Sequence, residues 1–415
     1  MPHVVIIGNG VAGTTAARSL RKNCDYRITI VSGEHPSFFS RPALMYAYMG
    51  HMTVKQLEPY EDHFWDKNRI DRVLDYVTHV DTERRLCFLA AAGPLSYDYL
   101  ILATGSVANR FGWPGEDLDG VQTFTSMQDL VRLEHNTRDV RSAVIVGGGL
   151  IGVEVAEMLR SRGVDVHFLV RESSYWNTIL AAEESAMITR HIKHHGVHLH
   201  LDTQLSTLEG GPGNRVCAAI TSDGQRIECQ VAVLTAGVRP QTALARASDI
   251  PTRRGILVDD CLRTPIPNVF AIGDCAEFPS GKVEQLWYTA RHHGHHVASV
   301  ILGEPRPLPQ YTFYNSAKFF DIEYQTYGAV SAQEDNTTSI LWQDIQRERL
   351  LRIVHSNDIM TGIQALGMRL RAEQCLAWIE QRTPVATVLR DLKKADFDPE
   401  FSSAFAAVRL IGEQA

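Results

Sequence analysis

At 415 residues the chain has room for two or three domains, each with its own core. A formal net charge of −7 gives no basis for a nucleic-acid or anionic-membrane partner, and no apolar run approaches the length of a membrane span. The seven cysteines are scattered, odd in number and without a C-x-x-C spacing, so they read as reduced thiols of a cytoplasmic protein; with no basic, apolar leader, no secretory signal is expected.

The chain opens on Val4-Val-Ile-Ile, a short buried strand, followed at once by Gly8-x-Gly10-x-x-Gly13 and a helix of small residues. In such a turn the first glycine permits the tight bend, the second admits a pyrophosphate close to the backbone, and the third lets helix and sheet pack closely. The helix N-terminus supplies free N–H groups and a favourable dipole for the phosphates. Glu34 follows the next strand, Arg27–Val31, and is placed to bind the ribose hydroxyls of an adenine dinucleotide. The aromatics of residues 34–46 and Pro42 suggest a loop feeding a helix, and Leu57 to Asn68 reads as surface helix and loop. Val73–Val80 reads as a strand, then a hairpin through Cys87–Leu89 and Leu95–Tyr97, then a buried strand ending in Ala103-Thr104-Gly105.

Residues Arg141 to Ala156 repeat the opening: a strand, Gly147-x-Gly149-x-x-Gly152 and a helix, about 140 residues after the first copy. Two such folds in one chain imply two dinucleotides whose reactive ends meet. The partner strand, Val164–Val170, is followed by Arg171-Glu172; the carboxylate favours NADH and the arginine NADPH, so the pair leaves that choice open, leaning to NADPH or dual use. Glu183–His195 is an expected helix whose His194-His195 end is read as solvated. A hairpin through Val216–Thr221 and Gln230–Thr235 leads to Ala236-Gly237, and a further buried strand ends in Gly273-Asp274. The helix from about Trp287 to Leu302 carries His292, His293, His295 and His296; with no carboxylate or cysteine in register, no metal is assigned to them. Pro305, Pro307 and Pro309 mark a linker. Beyond it, strand-like runs (Tyr311–Tyr314, Phe319–Thr326, Ser339–Trp342, Leu350–Val354) and helical periodicity over Gly367 to Leu392 predict a small α+β domain.

In that order the motifs Gly8–Gly13 with Glu34, Ala103-Thr104-Gly105, Gly147–Gly152, Ala236-Gly237 and Gly273-Asp274 resemble the pyridine nucleotide–disulfide oxidoreductase superfamily over residues 1 to about 305. The fold implied is α/β, with two Rossmann-like dinucleotide-binding domains, the second inserted in the first, and a small C-terminal α+β domain. The boundaries expected are 1–112 and 238–308 for FAD, 113–237 for NAD(P)H, and 309–415 for an interface domain. The resemblance implies that Gly8, Gly10, Ala12 and Gly13 hold the FAD pyrophosphate, Glu34 its adenosine ribose, and Val77 its adenine through the backbone. Arg41, Pro42, Ala103, Thr104, Gly105, Arg110, Gly237, Gly273 and Asp274 are expected around the same cofactor, with Asp274 on the ribityl chain or pyrophosphate. Gly147, Gly149, Ile151, Gly152 and Arg171 are assigned to NADH or NADPH. Glu154 matches an acidic residue near the nicotinamide; with Arg41 and Trp287 it makes up the expected catalytic group.

Disulfide reductases of this superfamily carry cysteines after the first ribose-binding acid; here Ser40-Arg41-Pro42 stands in that segment, with no cysteine between residues 25 and 86. That segment resembles the ferredoxin and rubredoxin reductases and the flavin domain of nitrite reductases, without the redox disulfide. The activity implied is an FAD-dependent NAD(P)H oxidoreductase whose acceptor is a ferredoxin-like or rubredoxin-like protein, with a homodimer possible for the family. Alternatives are an NAD(P)H oxidase or quinone reductase, and a redox-sensing flavoprotein resembling apoptosis-inducing factor.

Overall fold

The computed structural model describes residues 1–330 and 338–400. His3–Ile7 is a strand with all five residues buried, paired in parallel with Arg27–Ser32 on one side and Tyr99–Leu102 on the other. Ile70–Leu74 and Val269–Ala271 complete a five-stranded parallel sheet at its two edges. Strands covered on both faces need apolar side chains at every position, which is why the opening reads as an unbroken β-branched run rather than an alternation. Helix Val11–Asn23 lies against helix Trp287–Ile301. Gly294 makes that approach possible, because a Cβ there would stand 2.6 Å from the Ala12 carbonyl oxygen.

The second glycine turn belongs to a second sheet, ordered Val197–His200, Asp165–Leu169, Ser142–Val146, Val231–Leu234, Val121–Gln122. The C-terminal part is a five-stranded antiparallel sheet, ordered Tyr314–Phe319, Ile322–Gly328, Ile359–Leu366, Arg349–Ser356, Thr338–Asp344. Helices Ala372–Glu380 and Val385–Asp391 bury Cys375, Trp378 and Val388 against Leu351, Ile353 and Ile363 of that sheet. The architecture is thus the expected pair of Rossmann-like sheets with an α+β C-terminal part.

Several elements differ from expectation. The strand read over Val73–Val80 is two strands, Ile70–Leu74 and Val77–Asp81. Between them the Asp75 carboxylate accepts the backbone N–H groups of Tyr76, Ala91 and Ala92, a local competitor to the strand ladder. Within Leu57–Asn68, Trp65 is fully buried rather than a surface residue. The helical run from Gly367 to Leu392 is broken before Pro384, which lacks the N–H a continuing helix needs. Strand Ile359–Leu366 was not anticipated; it leaves a tight turn at Asn357-Asp358, both left-handed at φ 50° and 62°, the geometry of a two-residue hairpin loop.

The chain forms two compact units. Met1–Phe111, Gln122–Asp139 and Leu234–Pro309 make the first; Gly112–Val121, Val140–Val233 and the described residues from Gln310 onward make the second. This grouping differs from the expected division at 113–237 and 309–415, and the contacts give the reason. Tyr48 donates a hydrogen bond to Thr137 within the first unit. In the second, Arg352 forms a buried two-pronged ion pair with Glu184, and Lys318 reaches Glu157 at 2.6 Å. Among the described residues no helix is long and apolar enough to cross a membrane.

Candidate functional site

The first glycine turn is fixed by backbone contacts. Gly8 has φ +110°, and a Cβ there would overlap the Ala103 carbonyl oxygen, so the ends of two neighbouring strands meet only at a glycine. A Cβ at Gly13 would overlap the Gly8 carbonyl oxygen, whereas at Gly10 it meets nothing within 4 Å. The helix beginning at Val11 has no side-chain cap and no acid in its first turn. Open space before an uncapped helix N-terminus fits a pyrophosphate, the anion such N–H groups hold.

Residues distant in sequence complete this end of the first unit. Both oxygens of Glu34 accept the Arg41 guanidinium, at 2.8 and 2.7 Å, and Oε1 also accepts the Met127 N–H at 2.9 Å. Burial works to raise the Glu34 pKa; the Arg41 hydrogen bond and charge overcome it and hold the carboxyl below its ordinary range. Arg41 also donates to the Thr125 carbonyl at 2.6 Å and lies over the Phe39 ring. Pro42 follows it in an exposed 3-10 turn, where its fixed φ suits the first helical position.

Across the sheet end, Thr104 donates to the Gln241 carbonyl, and Gly105 (φ +70°) faces open space. Strand Ser106–Ala108 pairs with Val238–Pro240, next to Gly237. Asp274 accepts a hydrogen bond from Ser106 at 2.9 Å; burial pushes its pKa up, against the pull of Ser106 and the Arg41 charge. Gly273 packs on Ala12, and its N–H donates to His293 Nδ1 at 3.1 Å. Val77 begins a half-buried strand, Arg110 is exposed beyond Ala108, and Trp287 is the 39% exposed first residue of its helix.

The second turn repeats the first. Gly147 has φ +116°, a Cβ at Gly152 would overlap the Gly147 carbonyl oxygen, and one at Gly149 meets nothing within 4 Å. Helix Leu150–Ser161 likewise lacks a side-chain cap. Ile151 and Glu154 are half-buried on it. Burial pushes the Glu154 carboxyl up to about 7, the neighbouring Glu157 adds to the rise, and Lys318 opposes it. Arg171 is exposed and ion-paired to Glu172 at 2.6 Å.

All seven cysteines are free. Cys275, beside Asp274, is fully buried, and burial raises its thiol pKa, so it packs as an inert thiol. Cys87 is pushed up to about 12 by burial. The histidine run of the last helix of the first unit disperses: His293 is held by Gly273, His295 Nδ1 faces Ser19 Oγ at 2.8 Å, and His296 Nε2 faces the Arg306 carbonyl at 2.9 Å. Sequence reasoning missed Met127, Ser106 and Lys318 as neighbours of expected site residues. Only the first left a signal: Ser126-x-x-Asp129, a capping box that marks a helix start.

The family model for pyridine nucleotide-disulphide oxidoreductases matches residues 2–294. The chain is 30% identical to the nitrite reductase [NAD(P)H] of Bacillus subtilis over 92% of its own length, but spans 48% of that relative. It is 32% identical to the ferredoxin–NAD(+) reductase component of the biphenyl dioxygenase system of Paraburkholderia xenovorans, over 74% of this chain and 76% of the relative. In fold it resembles the ferredoxin reductase for the CYP199A2 system from Rhodopseudomonas palustris, with a TM-score of 0.83 and 24% identity over 96% of this chain and 98% of that one. The chain therefore belongs to the pyridine nucleotide-disulphide oxidoreductase family, whose members are FAD-dependent NAD(P)H oxidoreductases.

Proposed function

We propose that this protein passes reducing equivalents from NAD(P)H through FAD to a one-electron carrier protein of the ferredoxin or rubredoxin kind, in the reducing setting of the cytoplasm. The observation that carries the reading is the pair of open, uncapped glycine turns together with an unbroken absence of cysteine between residues 25 and 86. A dithiol relay needs a thiolate beside the flavin, and the first unit's Cys87 and Cys275 are buried thiols whose pKa values burial raises. Relatives named as ferredoxin–NAD(+) reductase components support the same acceptor class.

Bound FAD supplies the two-electron to one-electron conversion. The chain's residues supply positioning and charge. Gly8, Gly10 and Gly13 admit its pyrophosphate, and Glu34 offers the ribose the acceptor capacity left after Arg41 and Met127 have taken theirs. Asp274, held by Ser106, would accept from the cofactor's sugar-alcohol chain or lie by its pyrophosphate. Gly147, Gly149 and Gly152 would admit the NAD(P)H pyrophosphate, and Glu154, whose charge changes around neutral pH, would be the carboxyl offered to the nicotinamide end. Steady-state turnover with NADH or NADPH and four acceptors tests the reading: a [2Fe–2S] ferredoxin, a rubredoxin, a quinone and dioxygen. Rates with an iron–sulfur carrier or a rubredoxin should exceed those with dioxygen or quinone by at least about tenfold, a difference of about 1.4 kcal/mol in barrier. Equal or faster turnover with dioxygen or quinone would replace it with the oxidase or quinone reductase reading.

A further inference from the structure

His191 and His195 stand one turn apart at the end of helix Ala182–His194, facing two turns of the C-terminal sheet within the same compact unit. His191 Nε2 lies 2.7 Å from Asp321 Oδ1, His195 Nε2 lies 2.9 Å from the same oxygen, and the two nitrogens are 3.2 Å apart. Asp321 occupies the turn between strands Tyr314–Phe319 and Ile322–Gly328. From the turn before strand Arg349–Ser356, Glu348 Oε1 approaches His191 Nδ1 at 2.9 Å. The His195 ring is stacked on Phe320 at 4.3 Å, whereas His194 is exposed, so His195 departs from the solvated helix end its sequence suggested.

The hydrogen-bond chemistry of His191 is specific. Its side chain is 2% exposed and has a carboxylate on each ring nitrogen. An ionised carboxylate only accepts, so either the ring is a buried imidazolium or one nitrogen serves a cation. With Nδ1–H donating to Glu348, the Nε2 lone pair points at the meeting point of His195 and Asp321. A carboxylate behind a histidine is the arrangement that orients metal-bound imidazoles. Donors at about 2.0–2.2 Å from one zinc ion in tetrahedral array lie about 3.3–3.6 Å from each other, against 2.7, 2.9 and 3.2 Å here, so Asp321 would draw back by roughly half an ångström or more to admit the ion. Asp321 is 76% exposed, so its carboxylate faces solvent, and that exposure leaves room for water as a fourth ligand.

We propose that His191, His195 and Asp321 bind one zinc-class divalent cation, with Glu348 positioning His191, and that the ion clasps the helix to the C-terminal sheet. The other histidine group, Asp165, His167 and His198, lacks this design: His167 Nε2 is 3.8 Å from Asp165, and its Nδ1 faces His200, not a carboxylate. It serves as the control.

The test is zinc titration of the full-length, flavin-loaded protein after chelator treatment, read by competition with a chromogenic chelator and by the apparent Tm. One zinc ion per chain is expected, with a rise in Tm. Asp321→Ala and His195→Ala, both at solvent-accessible positions, should each weaken binding at least tenfold and abolish the Tm rise while retaining flavin absorbance. Glu348→Gln should weaken it about tenfold, and His198→Ala should leave it unchanged. No stoichiometric zinc, equal affinity in Asp321→Ala and His195→Ala, or loss of binding in His198→Ala would overturn the proposal.

Discussion

The two strand–glycine–helix units share a backbone and differ in side chains. Their first glycines have φ of +110° and +116°, their third glycines sit where a Cβ would overlap the first carbonyl oxygen, and their middle glycines face open space. Two residues after the third glycine, however, Thr15 is buried where the second copy has the half-buried Glu154 with its raised pKa. The carboxylate beyond the partner strand differs too. Glu34 is locked by Arg41 and the Met127 N–H, while Glu172 pairs with its exposed neighbour Arg171 alone among the described residues. Phosphate binding is backbone chemistry and is repeated. Side-chain chemistry diverges: one carboxylate is held by two partners, which suits the resident cofactor proposed above, and the other by one exposed arginine, which suits a nucleotide that comes and goes.

The sharpest way to break this comparison is at the third glycines. Gly13→Ala and Gly152→Ala each force a Cβ onto backbone, and overpacking of that kind costs about 1–3 kcal/mol or more. Gly13→Ala should purify with little flavin. Gly152→Ala should stay yellow but show a nucleotide KM raised at least about tenfold. Flavin content per chain and NAD(P)H saturation curves distinguish the two.

Removing the carboxylates comes next. Glu34→Ala loses charged hydrogen bonds that contribute about 1.5–3 kcal/mol, so FAD affinity should fall by roughly 10- to 100-fold. Glu172→Ala, whose partner is an exposed arginine, should change nucleotide affinity by less than about threefold. Comparable losses at the two sites would erase the asymmetry. Arg171→Ala should shift the NADPH-to-NADH preference by roughly two- to fivefold, read from kcat/KM for each nucleotide, with no effect on flavin content.

A smaller effect separates Glu154 from Thr15. Glu154 has a folded pKa raised from 4.5 to about 7, so the folded state holds more protons than the unfolded state between those values. Its unfavourable contribution therefore grows as pH rises through that window and is complete above about 7. Glu154→Gln should raise the apparent Tm at pH 8 by a few degrees, the response to at most about 3 kcal/mol, and by less at pH 5. A Tm difference independent of pH would contradict the raised pKa.

The sequence made both glycine turns legible because their constraints are local: three glycines, a strand before and a helix after. Glu34 was legible for the same reason, from its place after the second strand. Its partners were not equally so. Arg41 is seven residues away, but the Met127 N–H comes from a helix 93 residues on, and Ser106 meets Asp274 across 168. Histidine spacing by itself says little about partners. The dense group at residues 292–296 scatters to separate partners, while His191 and His195 converge with acids from turns that lie more than a hundred residues later. Spacing on one helix shows which side chains share a face; only the tertiary fold shows what faces them.

The most direct measurement is anaerobic stopped-flow mixing of the flavin-loaded protein with NADH and, separately, with NADPH, following the flavin absorbance. Bleaching is expected at a rate that saturates with one or both nucleotides, with half-saturation moved to at least about tenfold higher nucleotide in Gly152→Ala at the same flavin content. A flavin that neither nucleotide bleaches would contradict it, leaving the second glycine turn without a part in electron transfer.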